Sequence, residues 1–478
     1  MRAVARGDHP LLICDSERLS YTEAEQRSAR LARGLVALGA GKGTHIGVLY
    51  PNGAGFVIAM LAAARIGAVV VAFSTFSTGP ELRDQLGHSD TEILLAAAAF
   101  RGHDYRTRLA GVTAPWLRHI VFDNQITEHD TLDLTAIESD VDGGDPLAIV
   151  YTSGSTGAPK GVVHTHESLL GHQRNLNTIR GLTQHDRLFC NSPFFWIGGL
   201  AFGLLATLVA GSTLLCSNAS DSGDVLDLLE QEEPTITNGF VAGILDLARH
   251  ASFPSRNLSS IRRGNLYPIM APGARPPDPE LRHNMLGMTE AGSVVLLSGD
   301  DTDQPEHRRG SFGTPAPGFE TKIVDGELCI RGRYLMQHYY KRSREDCFGA
   351  DGWFHTGDLF RTDEDGFFYF LGRRGSMIKT AGANVFPAEV ENAIASVTGG
   401  LTAHVLPLPD PGRGQLVAAV VLVPDGNVFD EAIVRDKLKA ELSAYKIPRR
   451  FATLSPAQLP LTSSGKVDLP RLAAVFDA

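Results

Sequence analysis

Residues 151–162 read YTSGSTGAPKGV and follow the apolar run PLAIV at 146–150, which predicts a short buried strand ending at Tyr151. The Ser and Thr side chains of this stretch supply hydroxyl donors, and its glycines allow the backbone to turn and to approach a ligand closely. Lys160 adds a mobile positive charge. Together these groups favour a loop that binds a polyphosphate.

Two other interpretations of this loop are weaker. A Walker-type loop requires a Gly-Lys-Ser/Thr sequence, whereas Lys160 follows Pro159 and precedes Gly161, so the nucleotide-kinase motif does not fit. A cluster of serine, threonine and glycine is also typical of an ordinary surface loop. The complete string at 151–162 favours phosphate binding over a plain loop.

The length and composition indicate a globular protein of several domains. A chain of 478 residues exceeds what one hydrophobic core usually supports, so we expect two or three domains. With 43% hydrophobic and 21% charged residues, the chain can bury cores and is not disordered. The net charge of -10 argues against general nucleic-acid binding, because neutralising phosphates needs a basic surface.

The cysteines and the N-terminus indicate where the protein works. The five cysteines are scattered without CxxC spacing, so neither a disulfide framework nor a zinc site is predicted, and a reducing compartment is favoured. The N-terminal MRAVARGDHP lacks the apolar core of a signal peptide. The apolar run at 56–73 is interrupted by Arg65 and Gly67, and it is interpreted as a helix followed by a strand. We therefore expect a soluble, cytoplasmic protein without a transmembrane segment.

Strand and helix patterns alternate along most of the chain. Near the N-terminus, a strand pair precedes a helix that is predicted to be capped at Thr22, with Glu25 completing a capping box, and to end at Gly39. The alternation continues to residue 95 and resumes from 167 to 230. This pattern predicts an α/β fold with parallel sheets covered by helices. A ligand is then expected in the crevice at the carboxyl ends of the strands.

Two later stretches carry groups that suit a nucleotide. Residues 286–290 read LGMTE, where the Thr289 hydroxyl can bind a phosphate oxygen and Glu290 can hold Mg²⁺ jointly with that phosphate. Residues 356–358 read TGD, and Asp358 can accept both hydroxyls of a ribose. Each motif alone is equally typical of a loop, the threonine as a helix N-cap and the aspartate in an Asx-turn.

The C-terminal part has its own signals. The Arg-Arg-Gly-Ser sequence at 373–376 predicts a hinge, because a few positions must absorb any large backbone rotation. Residues 379–391 read KTAGANVFPAEVE and open the last domain. Near the end, PLTSSGK at 460–466 places Lys466 on a short loop, where without its context it would be taken as an ordinary surface lysine.

Five motifs in this order resemble those of the adenylate-forming superfamily, which includes acyl-CoA synthetases, peptide-synthetase adenylation domains and luciferases. They are YTSGSTGAPKGV, GMTE, TGD, the block from Gly372 to Glu391, and PLTSSGK. The resemblance covers nearly the whole chain. It implies a large N-terminal domain of stacked α/β subdomains at 1–372 and a small mobile α+β domain at 373–478. It also implies that a carboxylate and ATP form acyl-AMP and pyrophosphate, and that a thiol then takes the acyl group.

The resemblance also implies roles for individual residues. Lys466, Thr289 and Glu290 would be catalytic, with Lys466 stabilising charge during adenylation, Thr289 binding the α-phosphate and Glu290 holding magnesium. The implied ATP-binding residues are Thr152, Ser153, Gly154, Ser155, Thr156, Gly157, Lys160, Gly287, Met288, Asp358 and Arg373. The implied coenzyme A contacts are Lys379 and Gly382, and the implied acyl pocket comprises Trp196, Gly198 and Phe240.

The sequence departs from the family pattern at several positions. Leu286 stands where the family usually has an aromatic that stacks on adenine, and the segment at 271–287 is shorter than usual. Gly375 and Ser376 occupy the hinge pair where Lys or Asp is common. Trp196 stands where many relatives have histidine, which favours an apolar acid pocket, although an ordinary core aromatic would give the same pattern.

The resemblance favours coenzyme A as the thiol. The GANVFPAEVE version of the C-terminal block is similar to that of CoA ligases, and the extra block of fatty acyl-AMP ligases is absent between Asp358 and Gly372. We expect an acyl-CoA synthetase that uses ATP, Mg²⁺ and coenzyme A to activate an apolar fatty or cyclic acid. Two alternatives stay open: an enzyme that loads a carrier protein, and an adenylate-binding protein that has lost catalysis. A homodimer is compatible with each.

Overall fold

The computed structural model describes residues 2–127, 129, 131–152, 160–375, 378–380, 383–411, 414–424, 426–442, 446–462 and 465–477. The chain forms two compact units. Unit 1 comprises Met1–Glu320 and Arg331–Phe354, and unit 2 comprises Thr321–Ile330 and His355–Ala478. The domain boundary expected at residue 372 stays a prediction.

The N-terminal part of unit 1 alternates strands and helices. Its elements in chain order are α1 (Arg2–Arg6), β1 (Pro10–Cys14), β2 (Glu17–Ser20), α2 (Tyr21–Ala37), β3 (His45–Leu49), α3 (Ala54–Arg65), β4 (Val69–Ala72), α4 (Gly79–Ser89), β5 (Ile93–Ala96), β6 (Ala99–Phe100), β7 (His103–Asp104), α5 (Tyr105–Leu109), β8 (His119–Phe122), α6 (Thr135–Ser139) and β9 (Pro146–Thr152).

The alternation continues beyond the phosphate loop. The next elements are β10 (Lys160–Thr165), α7 (His166–Ile179), β11 (Arg187–Cys190), a π-helical segment (Gly198–Leu205), α8 (Ala206–Ala210), β12 (Thr213–Cys216), α9 (Ser222–Glu232), β13 (Ile236–Asn238), α10 (Leu245–Arg249), β14 (Arg263–Gly264), β15 (Leu286–Met288), β16 (Ser293–Leu297) and β17 (Thr314–Pro315).

Two six-stranded sheets carry the core of unit 1. The first has the order β10-β9-β4-β3-β5-β8 and is parallel except for β10, and the second has the order β14-β13-β11-β12-β1-β2 and is parallel except for β2. Strands β4 and β5 are completely buried, and they read as continuous apolar runs because helices cover both faces of a parallel sheet. The predicted α/β class is confirmed.

The apolar run at 56–73 folds as a helix followed by a strand, as predicted. It forms most of α3 and then β4, and Gly67 makes the turn between them with a φ of 67°. Within the part of the chain that the structure describes, no helix has the length and apolar character needed to cross a bilayer.

The start of α2 differs from the predicted start by two residues. Ser20, and not Thr22, is the N-cap: its side chain accepts the Glu23 N–H at 3.1 Å, and the Glu23 carboxylate accepts the Ser20 N–H at 2.8 Å. Both the serine and the threonine have a glutamate three residues later, so the spacing alone does not distinguish them. Tyr21 is buried and donates its hydroxyl to the Ser212 carbonyl at 2.8 Å, which fixes the chain at this point.

The C-terminal part of the chain forms two further sheets. The first has the order β18 (Phe319–Val324), β19 (Glu327–Gly332), β20 (Phe354–Thr362) and β21 (Phe368–Arg373). The second contains β22 (Ile378–Thr380), β23 (Ala383–Val385), β24 (Ala403–Asp410), β25 (Gly414–Leu422) and β26 (Arg450–Leu454). The remaining helices are α11 (Pro387–Thr398), α12 (Glu431–Glu441) and α13 (Leu469–Ala473). Val390 and Ile394 of α11 and Val434 and Leu438 of α12 are buried in the core of this second sheet.

Candidate active site

The predicted phosphate loop joins two antiparallel strands of the first sheet. Thr152 ends β9, Lys160 begins β10, and the two residues are paired directly across the strands. The predicted ATP-binding residues between them, Ser153, Gly154, Ser155, Thr156 and Gly157, lie outside the described residues. The register of the two strands fixes where the loop leaves the sheet and where it returns.

Strand β9 ends at the carboxyl edge of the parallel sheet. Strand β4 runs parallel to β9 with Ala72 opposite Val150, so the segment after β4 emerges next to the phosphate loop. In the second sheet β11 and β13 are parallel neighbours with Cys190 opposite Asn238, and their following segments carry Trp196 and Phe240. Crevices at such carboxyl edges are the usual ligand sites of open α/β sheets.

Four aromatic side chains connect these edges, and we call Phe76, Phe195, Trp196 and Phe240 the aromatic cluster. The Trp196 ring lies 6.0 Å from Phe76, 5.6 Å from Phe195 and 5.7 Å from Phe240, centroid to centroid, in edge-to-face arrangements. Phe76 is 43% exposed and Phe240 is 52% exposed. The structure thus brings together two predicted acyl-pocket residues, and the third, Gly198, begins the buried π-helical segment that follows.

A second group of side chains surrounds Glu290. The Tyr339 hydroxyl donates to Glu290 Oε1 at 2.7 Å, and the Lys160 ammonium lies 5.1 Å from the centroid of the Tyr339 ring. Burial, together with the nearby negative charge of Glu290, raises the pKa of Tyr339, so its hydroxyl stays protonated and acts as the donor. The structure therefore brings the predicted metal ligand and the predicted phosphate-binding lysine to one tyrosine.

The turn before Glu290 is held by a buried histidine. His164 in β10 is fully buried, and its Nε2 lies 2.7 Å from the Thr289 carbonyl oxygen. Because a carbonyl only accepts, Nε2 carries the hydrogen and donates it. Burial lowers the pKa of His164 to about 4, so the ring is neutral at pH 7. His164 thus holds the main chain of Thr289, the predicted α-phosphate ligand, from β10.

The shortened segment at 271–287 lacks an α-helix, and the structure describes all of it. It contains one short 3₁₀ stretch, Pro279–Leu281, and it ends in β15, which pairs with β16. Leu286 is half-buried, the predicted ATP contact Gly287 is exposed and Met288 is half-buried. Beside this segment, along the edge strand β14, lies a cavity of about 270 Å³ whose lining includes Asn238, Asn265, Tyr267, His283 and Met285.

In unit 2 the predicted ribose-binding residues are brought together. Asp358 in β20 is directly opposite Arg373 in β21. Arg373 Nε lies 2.5 Å from Asp358 Oδ1, and the Asp358 side chain is only 6% exposed whereas that of Arg373 is 61% exposed. The guanidinium fixes the orientation of this buried carboxylate, which suits a group that must accept hydroxyl hydrogens.

A buried glutamate that the sequence analysis missed fixes the turn before Asp358. One oxygen of Glu327 accepts the Gly357 N–H at 2.7 Å, and the other lies 3.0 Å from His355 Nδ1 and 3.3 Å from the Arg374 guanidinium. The Glu327 side chain is 6% exposed. The sequence signal that could have revealed Glu327 is a charged residue at the start of the apolar strand sequence ELCI.

Glu327, Cys329 and His355 also have ligand atoms within 4.8 Å of one another, a spacing that metal ligands can have. Three donors, among them the cationic Arg374, already occupy the Glu327 carboxylate, and a nearby cation disfavours a metal ion. The set therefore acts as a hydrogen-bond clamp on the turn at 355–358.

The other predicted residues lie on separate elements of unit 2. Lys466 is exposed, the Thr462 N–H donates to the Lys466 carbonyl at 2.7 Å, and the Gly465 N–H donates to the Thr462 carbonyl at 2.9 Å. Lys379 belongs to β22, although its side chain is not among those described, and Gly382 lies outside the described residues.

A comparison with known protein families shows the family of this chain. The AMP-binding enzyme family matches residues 1–340, and the AMP-binding enzyme C-terminal domain matches residues 389–466. The chain belongs to the AMP-binding enzymes. This result confirms the predicted adenylate-forming superfamily, its fold and the enzyme class, an ATP-dependent ligase of acids and thiols.

This AMP-binding enzyme is similar over nearly its whole length to curated acid–CoA ligases. A feruloyl-CoA synthase from an Amycolatopsis species is 30% identical over 471 residues, covering 94% of this chain and 92% of the relative. A ligase from Mycobacterium tuberculosis, named for a methyl-dioxo-octahydroindenyl propanoyl group, is 31% identical over 488 residues, covering 97% and 95%. The solved o-succinylbenzoate CoA synthetase from Bacillus subtilis, in complex with its acyl-adenylate, is 25% identical with a TM-score of 0.79, covering 98% of this chain and 96% of that chain.

Proposed function

We propose that this enzyme joins an apolar carboxylic acid, fatty or cyclic, to coenzyme A through an acyl-AMP intermediate. The aromatic cluster is the observation that supports an apolar acid, because its exposed rings Phe76 and Phe240 flank Trp196. Phe76 follows β4, the parallel neighbour of the strand that leads into the phosphate loop. Neighbouring strands lie about 5 Å apart, so an acid whose apolar part contacts this cluster can keep its carboxylate near the loop.

The chemistry of the cluster supports an uncharged substrate body. Phe76, Phe195, Trp196 and Phe240 offer aromatic faces and edges that favour rings and alkyl chains. None of these side chains is charged, so a second carboxylate or an ammonium group on the acid would lose its hydration without gaining a partner. Two of the relatives are named for an aryl and a bicyclic acid, which supports the same class.

In the proposed first half-reaction an oxygen of the acid attacks the α-phosphorus of ATP and pyrophosphate leaves. The loop between Thr152 and Lys160 would hold the β- and γ-phosphates, Thr289 the α-phosphate, and Asp358 with Arg373 the ribose. Lys466 would stabilise the negative charge that develops on the attacked phosphate. A carboxylate is already ionised at neutral pH, so no general base is needed.

Magnesium fits the residues at Glu290. Its carboxylate is a hard oxygen ligand, and Tyr339 occupies one oxygen as a donor, which leaves acceptor capacity on the other. When bound, magnesium would neutralise part of the charge on the leaving pyrophosphate. Glu290 would hold it, and Lys160 would add a second positive charge from β10.

In the proposed second half-reaction the thiol sulfur of coenzyme A attacks the acyl carbon. The bond from that carbon to the phosphate oxygen breaks, AMP leaves, and the thiol proton passes to solvent. The resemblance assigns Lys379 and Gly382 to this step. A carrier-bound phosphopantetheine would present the same thiol, so the acceptor needs its own test.

A substrate panel tests the proposal. The protein is incubated with ATP, Mg²⁺ and either coenzyme A or a phosphopantetheinyl carrier protein, and pyrophosphate and thioester are measured. Octanoate, 3-phenylpropanoate and cyclohexanecarboxylate should each release pyrophosphate and form a CoA thioester, while succinate and glycine should not. A preference for succinate would overturn the substrate class, transfer to the carrier protein alone would favour carrier loading, and no pyrophosphate with any acid would indicate lost catalysis.

A variant pair tests the aromatic cluster itself. Trp196→Ala should raise KM for the acid about 10-fold or more and leave KM for ATP unchanged, because it removes ring contacts that only the acid would use. Trp116→Ala is the matched control, since Trp116 is 59% exposed and is not a member of the cluster. Equal effects of the two variants on KM for the acid would contradict the assignment of the pocket.

A further inference from the structure

We propose that Tyr339 is a positioning residue that performs two separable tasks: its hydroxyl orients the Glu290 carboxylate for a divalent metal, and its ring holds the Lys160 ammonium. The inference rests on the proposed function, because the proposed function gives Glu290 and Lys160 their roles at the phosphates of ATP. Tyr339 belongs to none of the motifs that the sequence analysis used.

The backbone around Tyr339 is fixed against the strand that leaves the phosphate loop. The Gln337 N–H donates to the Val163 carbonyl at 2.8 Å, and the Tyr340 N–H donates to the Gly161 carbonyl at 2.7 Å. Tyr339 itself is bridged to Val162 in antiparallel fashion. The residues at 337–340 thus extend the sheet beyond β10, and Tyr339 moves with the strand that Lys160 begins.

Glu290 is held at two points by this same segment. The Met336 N–H donates to the Glu290 main-chain carbonyl at 2.8 Å, and the Tyr339 hydroxyl donates to Glu290 Oε1 at 2.7 Å. The first contact fixes the backbone and the second fixes the rotation of the carboxylate. Such outer partners of metal ligands orient them, and their loss typically weakens metal binding 10- to 100-fold.

Lys160 contacts the ring of Tyr339 and not its hydroxyl. Its ammonium nitrogen lies 5.1 Å from the ring centroid, within the range of a cation–π interaction. The Arg342 guanidinium lies 5.8 Å from the same centroid, so the ring faces positive charge from two residues. A long lysine side chain has many rotamers, and a ring contact restricts them before ATP arrives.

The two tasks can be separated by substitution. Tyr339→Phe removes the hydroxyl that binds Glu290 and keeps the ring that contacts Lys160. Tyr339→Leu removes both. Tyr340→Phe is the matched control, because this adjacent tyrosine donates its hydroxyl at 2.9 Å to a different carboxylate, that of Asp90.

The decisive experiment measures Mn²⁺ binding to the ATP-bound protein by electron paramagnetic resonance, with ATP affinity in metal-free buffer measured by calorimetry. Tyr339→Phe should weaken Mn²⁺ binding about 10-fold or more and leave metal-free ATP affinity unchanged. Tyr339→Leu should weaken both, and Tyr340→Phe should weaken neither. Thermal unfolding of each variant without ligands checks that the fold is retained, which the Phe variants should satisfy because they keep every ring contact.

Each contrary result overturns one defined part of the proposal about Tyr339. Unchanged Mn²⁺ affinity in Tyr339→Phe, or an equal loss in Tyr340→Phe, overturns the positioning of Glu290. Equal metal-free ATP affinity in Tyr339→Leu and Tyr339→Phe overturns the contact with Lys160. If the wild type binds Mn²⁺ and ATP yet releases no pyrophosphate with any apolar acid, the proposed function fails while the role of Tyr339 is still decided by the variants.

Discussion

His164 Nε2 donates to the main-chain carbonyl of Thr289 across 2.7 Å, although 125 residues separate the two in the chain. Tyr339 and Glu290 form a second contact of this kind, between side chains 49 residues apart. Both contacts run from β10 or its added strand to the Thr289-Glu290 turn. Lys160, at the end of the predicted phosphate loop, and the predicted metal ligand are therefore attached to one strand, and any shift of β10 must move both.

The hydrogen bond from His164 can be removed without changing the volume of the side chain greatly. His164→Leu should lower the free energy of unfolding by about 1–3 kcal/mol, because the Thr289 carbonyl loses its buried donor. It should also slow acyl-AMP formation, since Thr289 is the proposed α-phosphate ligand. Urea unfolding and ATP–pyrophosphate exchange measure the two effects.

His164→Gln is the matched control for this variant. A glutamine amide can place a donor near the position of Nε2, so it should restore most of the stability and most of the exchange rate. If the leucine and glutamine variants exchange pyrophosphate equally fast, the contact to Thr289 does not position the phosphate ligand.

Stability should fall as the pH falls below about 6.5. Burial lowers the pKa of both His164 and His172 to about 4 from the ordinary value of 6.5, so the folded protein keeps these rings neutral while the unfolded chain protonates them. Their contribution is complete above pH 6.5 and is lost as the pH falls towards 4. At pH 5 each histidine should lower the free energy of unfolding by about 2 kcal/mol. Urea unfolding across the pH range measures this loss.

A substitution isolates this pH effect from that of the carboxylates. His164→Gln carries no titrating group at this position, so the loss of stability between pH 7.5 and pH 5 should be about 2 kcal/mol smaller than in the wild type. His185→Gln, which changes an exposed histidine, is the matched control. The same pH dependence in all three proteins would show that the buried rings do not cause it.

Local patterns predicted the elements of the fold well, whereas contacts between distant elements escaped the sequence. The apolar run at 56–73 was predicted as a helix followed by a strand, and it forms most of α3 and then β4. The positions of Tyr339 and Glu327 in the site depend on strand pairing and on turns. The sequence marks Tyr339 only as one of two adjacent tyrosines, and it marks Glu327 only as an acidic residue in an apolar run. The cap of α2 shows the same limit at short range, since a buried tyrosine decided between two equivalent capping boxes.

The clamp at Glu327 should support nucleotide binding from inside unit 2. Glu327→Ala leaves the Gly357 N–H without its acceptor and releases His355 and Arg374, so the turn before Asp358 should loosen. We expect a loss of about 1–3 kcal/mol in the free energy of unfolding and weaker AMP binding in calorimetry. Glu320→Ala is the control, because Glu320 pairs with Arg331 at the surface, where ion pairs contribute about 0–1 kcal/mol. Similar AMP affinities in the two variants would exclude a role for the clamp in binding.

Lys466 allows the two half-reactions to be separated. Its side chain is exposed, and its proposed task is confined to the charge that develops during adenylation. Lys466→Ala should slow acyl-AMP formation by about 10²–10³-fold, the usual effect of losing one preorganised donor. The same variant should convert supplied acyl-AMP and coenzyme A into thioester at the wild-type rate, because the proposed role of Lys466 is confined to adenylation.

Lys439→Ala is the matched control, since Lys439 is an exposed lysine of the same unit that pairs with Asp436 on its own helix. It should leave both steps unchanged, and single-turnover assays with radiolabelled acid can follow each step separately. Loss of both steps in Lys466→Ala to the same extent would mean that this lysine supports a surface common to the two reactions, and the assignment of one residue to one step would have to be abandoned.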